Sequence, residues 1–440
     1  MPLDLPTALR AGPQSAAQLR DRLGASQPTL SRALTRARSE IAHFGRGRAT
    51  RYALYRRIRE LAPEFPVHRV TMSGDTARIG TLVTIAPDRY WYDDLEQPSA
   101  SAEHQSLPFF ATDMRPQGYL GRFFPQMYAD LGLPDRITDW NEDQALYAMA
   151  RRGDDTVGNL LIGEESFARW IASTTSSVIV TEAERLAHYR ARTEEAIAGR
   201  PAGSSAAGEQ PKFTAVVGAT AGSVRHVLVK FSSSLASAGG RRWADMLLAE
   251  HLASEVLLDH EHAAARTHFL IDGTRAYLEV ERFDRTGLRG RVGLVSLGAL
   301  DDEFVGERRG WSESAGALLR ARLINARDAR ELRYLSAFGA LIANTDMHLG
   351  NASFLTEGYL HFRLAPSYDM LPMMYAPTRD EVPERQFILP TPRPAHSDQW
   401  IAALPAAHAF WQRLAADSRA SPPFREIANA NAISLDQARR

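Results

Sequence analysis

The most informative segment of this chain is residues 344–351, which read NTDMHLGN. Asp346 and Asn351 stand five positions apart there, in a polar interruption of the mostly helical sequence predicted from about 286 to 440. A carboxylate can accept a proton from a hydroxyl group, and an amide oxygen can bind a metal ion. Taken singly, Asp346 could equally be a helix cap. Its meaning therefore depends on the residues around it.

A second carboxylate follows at Asp369, after the run Leu364-Ala365-Pro366-Ser367-Tyr368. Asp346 and Asn351 reproduce the spacing of a protein-kinase catalytic loop, in which the aspartate accepts the substrate hydroxyl proton and the asparagine holds Mg²⁺. A carboxylate at Asp369 would join that metal ion to the phosphates. We predict Asp346 as the base and Asn351 and Asp369 as the metal ligands.

Lysine is rare in this chain, at two of 52 basic side chains. Lys230 lies in the apolar run 227–231, and a lysine in a buried strand is costly unless it faces an anion. In kinases such a lysine holds the ATP phosphates and pairs with a glutamate of the next helix. Glu250 is the first choice for that glutamate, with Asp245 and Glu255 as alternatives. The simpler alternative is a strand-end lysine that reaches water.

The second lysine, Lys212, ends the small-residue turn 205–212, which reads SAAGEQPK. Backbone N–H groups in such a turn can approach phosphate oxygens without obstruction by side chains. Four features occur along the chain in the order that phosphoryl transfer from ATP requires. They are this turn, the strand lysine Lys230, the predicted catalytic loop and the second carboxylate, Asp369. Together they predict a kinase that uses ATP and Mg²⁺.

Several of these segments resemble the HipA-type toxin kinases. The run 207–212 resembles their ATP loop, Glu279–Arg285 their hinge, 345–351 their catalytic loop and 366–369 their metal-binding segment, while Thr156–Asn159 fits their N-lobe. The resemblance spans roughly 66–440 and implies an α+β, bilobal protein-kinase-like fold.

The resemblance also assigns roles to individual residues. It places adenine at the backbone around Glu281 and Phe283, and it implies autophosphorylation of Ser205, with Ser204 as a neighbour that could substitute. The implied ATP-binding set is Ala207, Gly208, Glu209, Gln210, Lys212, Lys230, Glu250, Glu281, Phe283, His348 and Tyr368. One departure is Gly350, where the family commonly has a lysine that could steady the transferring phosphoryl group.

The N-terminal 60 residues are strongly basic, with twelve arginines against four carboxylates and a net charge of +8. Residues 15–37 predict two short helices around a turn, followed by a strand, the basic glycine turn 45–48 and a second strand. This is the order of a small winged helix-turn-helix domain that binds double-stranded DNA. The predicted DNA contacts are Gln27, Thr29, Ser31, Arg32, Arg36, Arg46 and Arg48. A basic helical module for protein contacts is the alternative.

Secondary structure and domain bounds can also be predicted for the rest of the chain. Residues 66–120 are predicted to be strand-like, 181–199 an amphipathic helix, and 214–230 and 266–283 strands. The predicted domains are a winged helix-turn-helix at 1–62, a kinase N-lobe at 66–284 and a mostly helical C-lobe at 285–440.

Composition excludes several classes of protein. There are no cysteines, which removes disulfides and thiolate metal sites, and no stretch is apolar enough for a membrane span or signal peptide. We therefore expect a cytoplasmic protein without a membrane partner.

The leading hypothesis is a serine/threonine protein kinase that acts as a HipA-like growth-inhibiting toxin. By analogy its substrates are proteins of the translation machinery. Family toxins work with a separate DNA-binding antitoxin, whereas the DNA-binding domain is fused here, as an operator reader or as a restraint in cis. The alternatives are a transcription regulator with a nucleotide-sensing, catalytically weak body, and a small-molecule phosphotransferase.

Overall fold

In the computed structural model the described residues are 3–45, 47–173, 178–198, 210–218, 223–356, 360–378, 380–391 and 397–439. They form an N-terminal unit (residues 3–57), a middle unit (58–173) and a body (178–439), with separate main hydrophobic clusters. All element bounds below refer to these residues.

Short capped helices and a hairpin build the N-terminal unit. Ser15 and Gln18 cap one helix reciprocally, and the left-handed Gly24 (φ 60°) ends it before Ser26 starts the next. The strands pair in the order β1-β3-β2, as the predicted hairpin requires. The elements are α1 (Leu5–Leu9), β1 (Gln14–Ser15), α2 (Ala16–Leu23), α3 (Gln27–Arg36), β2 (Ile41–Phe44) and β3 (Arg51–Leu54).

The middle unit is an antiparallel sheet of order β7-β6-β5-β4-β8 with helices beside it. The prediction that 66–120 is strand-like is wrong beyond His104, because short helices follow Pro108. Phe109 and Phe110 made this segment look like a strand, but their rings pack edge-to-face against Phe304 and Tyr92. The elements are β4 (Glu64–Val70), β5 (Thr76–Ile85), β6 (Arg89–Asp94), β7 (Ala102–His104), α4 (Phe109–Thr112), α5 (Gly118–Arg122), α6 (Phe124–Met127), α7 (Glu142–Arg152), β8 (Leu160–Ile162) and α8 (Glu164–Ser173).

The first half of the body is a sheet of order β12-β13-β11-β10-β9, in which β9 alone runs parallel to its neighbour. Lys212 and Lys230 face each other across β10 and β11, so the chain's two lysines share one face of this sheet. The elements are β9 (Ile179–Val180), α9 (Arg185–Ala198), β10 (Lys212–Gly218), β11 (Val224–Phe231), α10 (Ala238–Asp259), β12 (Thr267–Ile271) and β13 (Ala276–Glu281).

The second half of the body is mostly helical, as predicted, around a core that includes the fully buried Phe338, Phe410 and Trp411. Its elements are β14 (Arg285–Thr286), β15 (Gly290–Arg291), β16 (Gly293–Ser296), α11 (Leu297–Phe304), α12 (Trp311–Arg320), α13 (Ala326–Leu341), β17 (Ser353–Thr356), β18 (Phe362–Leu364), α14 (Ser397–Ala416) and α15 (Pro422–Arg439). None of the helices described is both long and apolar enough to cross a bilayer.

The hairpin of the N-terminal unit packs directly on the middle unit. The Phe44 ring stacks on Trp91 with centroids 4.5 Å apart, beside Val83 and Ile85. The Ala86 N–H donates to the Leu54 carbonyl at 2.9 Å, which extends the contact along the backbone. The N-terminal unit is therefore attached to the middle unit through its hairpin.

Candidate active site

Lys230 is the centre of a buried ion-pair cluster. Its side chain is 4% exposed, and Nζ donates to both carboxylate oxygens of Glu250 at 2.6 and 2.7 Å and also to Asp369. The other two carboxylates considered from the sequence lie elsewhere, because Asp245 accepts from Ser421 and Glu255 faces His251. Glu250, on α10, is thus the partner of the strand lysine.

Opposing effects set the charges in this cluster. Burial alone would lower the pKa of Lys230, but the carboxylates of Asp369 and Glu250 outweigh it and raise that pKa. Burial likewise favours protonation of Asp369, yet Lys230 and then Lys212 lower its pKa to about 2. For Glu250 burial is the stronger effect and raises its pKa despite Lys230. A charged lysine and a charged Asp369 therefore meet at neutral pH.

Hydrogen bonds of amide side chains bring the residues of the predicted catalytic loop and Asp369 together. The Asn351 amide donates to the Asp346 carbonyl at 2.8 Å, and the Asp346 N–H donates to the Asn344 side chain at 3.0 Å. Asn344 in turn donates to the Asp369 carbonyl at 3.3 Å. Asp369 itself has φ 54°, a left-handed conformation that aspartate tolerates better than most residues. The Asp346 side chain remains exposed.

A cavity of about 850 Å³ joins these residues. Lys230, Asp346, Asn351 and Asp369 line it together with Gln210, Lys212 and His348. Its size is within the range of small-molecule sites. The His348 ring accepts a hydrogen bond from the Gly350 N–H at 3.0 Å. A substituent at Gly350 would press on that ring, so the family's lysine could not be introduced without moving His348.

An adjoining cavity of about 410 Å³ shares Lys230 and Asp369 and is lined on its far side by Leu228, Val280, Glu281, Phe283 and Tyr368. The Tyr368 hydroxyl donates to the Gly350 carbonyl at 2.8 Å, and its ring lies 5.9 Å from that of Phe283. The Glu281 N–H already donates to the Arg266 carbonyl at 2.8 Å. The backbone around Glu281 is expected to receive adenine. Its Glu281 N–H is already hydrogen-bonded within the protein.

The buried Gln210 amide fits a phosphate-bearing ligand. Its Nε2 has no hydrogen-bond partner within the described ranges, although the residue is 9% exposed and opens on the larger cavity. Buried donors of this kind normally have acceptors, and both lysine side chains line the same space. The predicted ATP-loop residues Ala207, Gly208 and Glu209, and the serines 204 and 205, lie outside the described residues.

The described part of this site offers few side chains that could bind a metal ion. Within the described parts of the chain, no group of three or more His, Cys, Asp or Glu side chains could share an ion. Asp369 and Asn351 supply oxygen atoms of the kind that Mg²⁺ binds, and phosphate oxygens and water normally complete its shell. The residues present fit Mg²⁺ held jointly with a nucleotide.

The sequence did not point to a segment of the middle unit that lines both cavities. Asp113, Gln117 and Tyr119 belong to it, and the Asp113 carboxylate accepts from the Ser296 N–H at 2.6 Å. Ser296 caps α11, where Gly298 lies beside Leu349 of the predicted catalytic loop. Burial raises the pKa of Asp113. No local motif marks this aspartate, because its partner is 183 residues away.

The predicted DNA-contact residues that are described lie on one helix. Gln27, Thr29, Ser31, Arg32 and Arg36 of α3 are all exposed, whereas Leu30 is fully buried. Ser26 caps this helix, and its hydroxyl lies 2.9 Å from that of Thr29. Arg46 and the side chain of Arg48 lie outside the described residues.

Two sequence families match this chain. Residues 204–433 match the HipA-like C-terminal domain, and residues 61–171 match the YjjJ-like toxin, middle domain. Toxin YjjJ of Escherichia coli (strain K12) is 39% identical over 444 residues, which cover 97% of this chain and 95% of the relative.

A solved structure has the same fold. HipA of Shewanella oneidensis MR-1, solved with HipB and operator DNA, matches with a TM-score of 0.55 at 15% identity, over 85% of this chain and 99% of that chain. The prediction of an α+β fold of the HipA type is confirmed by this likeness. The chain therefore belongs to the family of HipA-like toxins and, within it, to the relatives of Toxin YjjJ.

Proposed function

We propose that this chain is an ATP-dependent serine/threonine protein kinase that acts as a growth-inhibiting toxin and reads DNA through its N-terminal unit. The observation that carries the proposal is the single cavity lined by Lys230, Asp346, Asn351 and Asp369. These residue types, in this order along the chain, are those that position ATP and a hydroxyl acceptor in kinases.

Each residue has a definite task in the proposed reaction. Lys230, kept in place by Glu250, holds the phosphates of ATP. Asp346 takes the proton of the acceptor serine or threonine as its oxygen bonds to the γ-phosphorus and the bond to ADP breaks. Asn351 and Asp369 would hold Mg²⁺, which when bound neutralises charge on the phosphate oxygens.

The contact between Lys230 and Asp369 implies a rearrangement when the nucleotide binds. Both groups are charged, and each is also needed by the ligand that we propose for the site. Lys230 would keep Glu250 and exchange Asp369 for phosphate oxygens. Asp369 would then be free to bind the metal.

DNA binding by the N-terminal unit is supported by the exposed polar and arginine side chains of α3. A capped helix with such side chains at its N-terminal end can enter the major groove, while arginines contact phosphates. We propose that this unit binds the chain's own operator. Protein substrates in the translation machinery and an antitoxin partner are further proposals by analogy with the family.

The kinase proposal is tested with Asp346→Asn. The variant should bind ATP with unchanged affinity in calorimetry, because Asp346 lies outside the lysine cluster, yet release no ADP in the presence of protein acceptors. Induced expression of the parent should slow growth of the host, and the variant should not. Turnover by Asp346→Asn at the parental rate would remove Asp346 from the role of base.

A further inference from the structure

The larger cavity extends well beyond the space that faces the nucleotide. The lining that it does not share with the adenine-side cavity includes Gln210 and Asn351, and also Asp346, Trp243, Met373 and Arg308 and Arg309 with Asp302 beside them. Because Asp346 is the proposed base, the acceptor hydroxyl would enter this part of the cavity. Neither arginine belongs to a motif that the kinase assignment uses.

A buried carboxylate builds the loop that carries these arginines. Asp301, 0% exposed, accepts from the backbone N–H groups of Glu307 at 3.1 Å and Arg308 at 2.8 Å through one oxygen. Its other oxygen accepts from the Ser314 hydroxyl at 2.5 Å. The loop 305–310 is thus tied by hydrogen bonds to a buried carboxyl group of the helix before it.

The backbone at Arg308 is strained. Its φ of 46° is left-handed, a conformation that is unfavourable for a non-glycine residue. Strain of this kind persists where surrounding contacts impose it, and Asp301 supplies those contacts. The result is that Arg308 and Arg309 both line the cavity that contains Asp346.

The guanidinium groups themselves remain accessible. The side chains of Arg308 and Arg309 are 66% and 67% exposed, and among the described residues they pair with the neighbouring surface carboxylates Asp302 and Glu307. The contact of Arg309 with Glu307 is a single exposed ion pair of the weak kind, whereas Arg308 holds both oxygens of Asp302 through two nitrogens. An incoming carboxylate can therefore replace Glu307 at Arg309 at little cost.

We propose that Arg308 and Arg309 form an acidic-residue subsite, so that the preferred protein acceptors carry Asp or Glu close to the phosphorylated serine or threonine. The inference rests on the proposed kinase function and adds its substrate class. Charge complementarity beside the acceptor hydroxyl is a common source of kinase specificity. Trp243 and Met373 would supply the apolar contact for the same peptide segment.

The test uses the full chain, Mg-ATP and the proteins of a phosphatase-treated Escherichia coli extract as acceptors, with phosphosites mapped by mass spectrometry. The variant is Arg308→Asn with Arg309→Gln, since Asn tolerates the left-handed backbone. Arg309→Glu reverses one charge. Arg330→Ala is the matched control, an exposed arginine of α13 that lines neither cavity.

For the parent and the control we expect enrichment of acidic residues around the sites by about two- to fivefold, the size that exposed ion pairs give. The neutral variant should lose the enrichment with an unchanged KM for ATP, and Arg309→Glu should shift the preference toward basic residues.

Phosphorylation without acidic enrichment in the parent would overturn the subsite alone. A raised KM for ATP with unchanged flanking preference would also overturn it, by assigning the arginines to the nucleotide. Absence of phosphate on every protein, the kinase included, would overturn the proposed function and the subsite with it.

Discussion

At the scale of single residues, the main feature of this site is the contact of Lys230 with the carboxyl groups of Glu250 and Asp369. Lys230 and Glu250 are buried against the partly exposed Asp369, and Lys212 faces Lys230 across the sheet. The Gln210 amide beside them still has no acceptor among the residues described. An added phosphate group would give this amide an acceptor.

Acid unfolding should report on Asp369. Its pKa is lowered from 3.8 to about 2 in the folded state, so its charge stabilises the fold above pH 4. This contribution, about 2 kcal/mol from the size of the shift, is lost as the pH falls through 2. Asp369→Asn should lower the free energy of unfolding at pH 7 and flatten its decline between pH 4 and 2, measured by urea titration. An unchanged pH profile would contradict the charge assignment.

Asp113 should act through the hydrogen bond to Ser296 and not through its charge. Asp113→Ala leaves the part-buried Ser296 N–H without this acceptor, which costs about 1 kcal/mol of stability, the low end of the range for buried donors. The variant should also lower turnover by loosening the start of α11. Asp113→Asn keeps an acceptor oxygen and should retain most of the activity. Kinetics and urea unfolding of both variants check this. Equal damage from Asn and Ala would show that the charge is required.

At the scale of elements, local signals in the sequence are reliable guides and long-range contacts are not. Caps, a glycine turn and apolar periodicity place α2, α3, β2 and β3 correctly, because these features depend on neighbouring residues. The rare lysines and the spacing of Asp346 and Asn351 likewise pick out residues that the structure brings to one cavity, because each of these signals can be read locally. Asp113 and the aromatic pair Phe109 and Phe110 could not be interpreted in this way, because their partners are distant in the sequence.

Helix α3 gives the prediction for DNA binding. Replacing Arg32 and Arg36 with Ala should weaken binding to double-stranded DNA and reduce the slope of log K against log salt by about 2, since two phosphate contacts are removed. Fluorescence anisotropy at several salt concentrations measures both quantities. Arg330→Ala is the control and should bind like the parent. A full salt slope in the double variant would leave α3 without a role in DNA binding.

At the scale of the whole molecule, the N-terminal unit packs on the middle unit, and the middle unit lines the proposed catalytic cavity. Phe44 and Trp91 form the first contact, and Asp113 forms part of the second. The middle unit therefore contacts both the N-terminal unit and the cavity that contains Asp346.

Trp91→Ala should loosen the N-terminal unit. Removing a packed aromatic ring typically costs 3–5 kcal/mol, or about 3 kcal/mol for this half-buried one. Hydrogen exchange of residues 14–54 should accelerate, while the Lys230 cluster stays protected. Ile388→Ala, at a highly exposed apolar side chain, should change neither region. Unaltered exchange in the N-terminal unit would mean that the stacked rings do not hold it.

The central claim is that the cavity around Lys230 and Asp346 transfers phosphate, and intact mass measures this most directly. After incubation with Mg-ATP, the purified parent should gain one phosphate, which maps to Ser205, and Ser205→Ala should gain none unless Ser204 substitutes. Asp346→Asn should stay unphosphorylated. No gain in the parent, from material that starts without phosphate, would contradict the account and favour a nucleotide-sensing regulator.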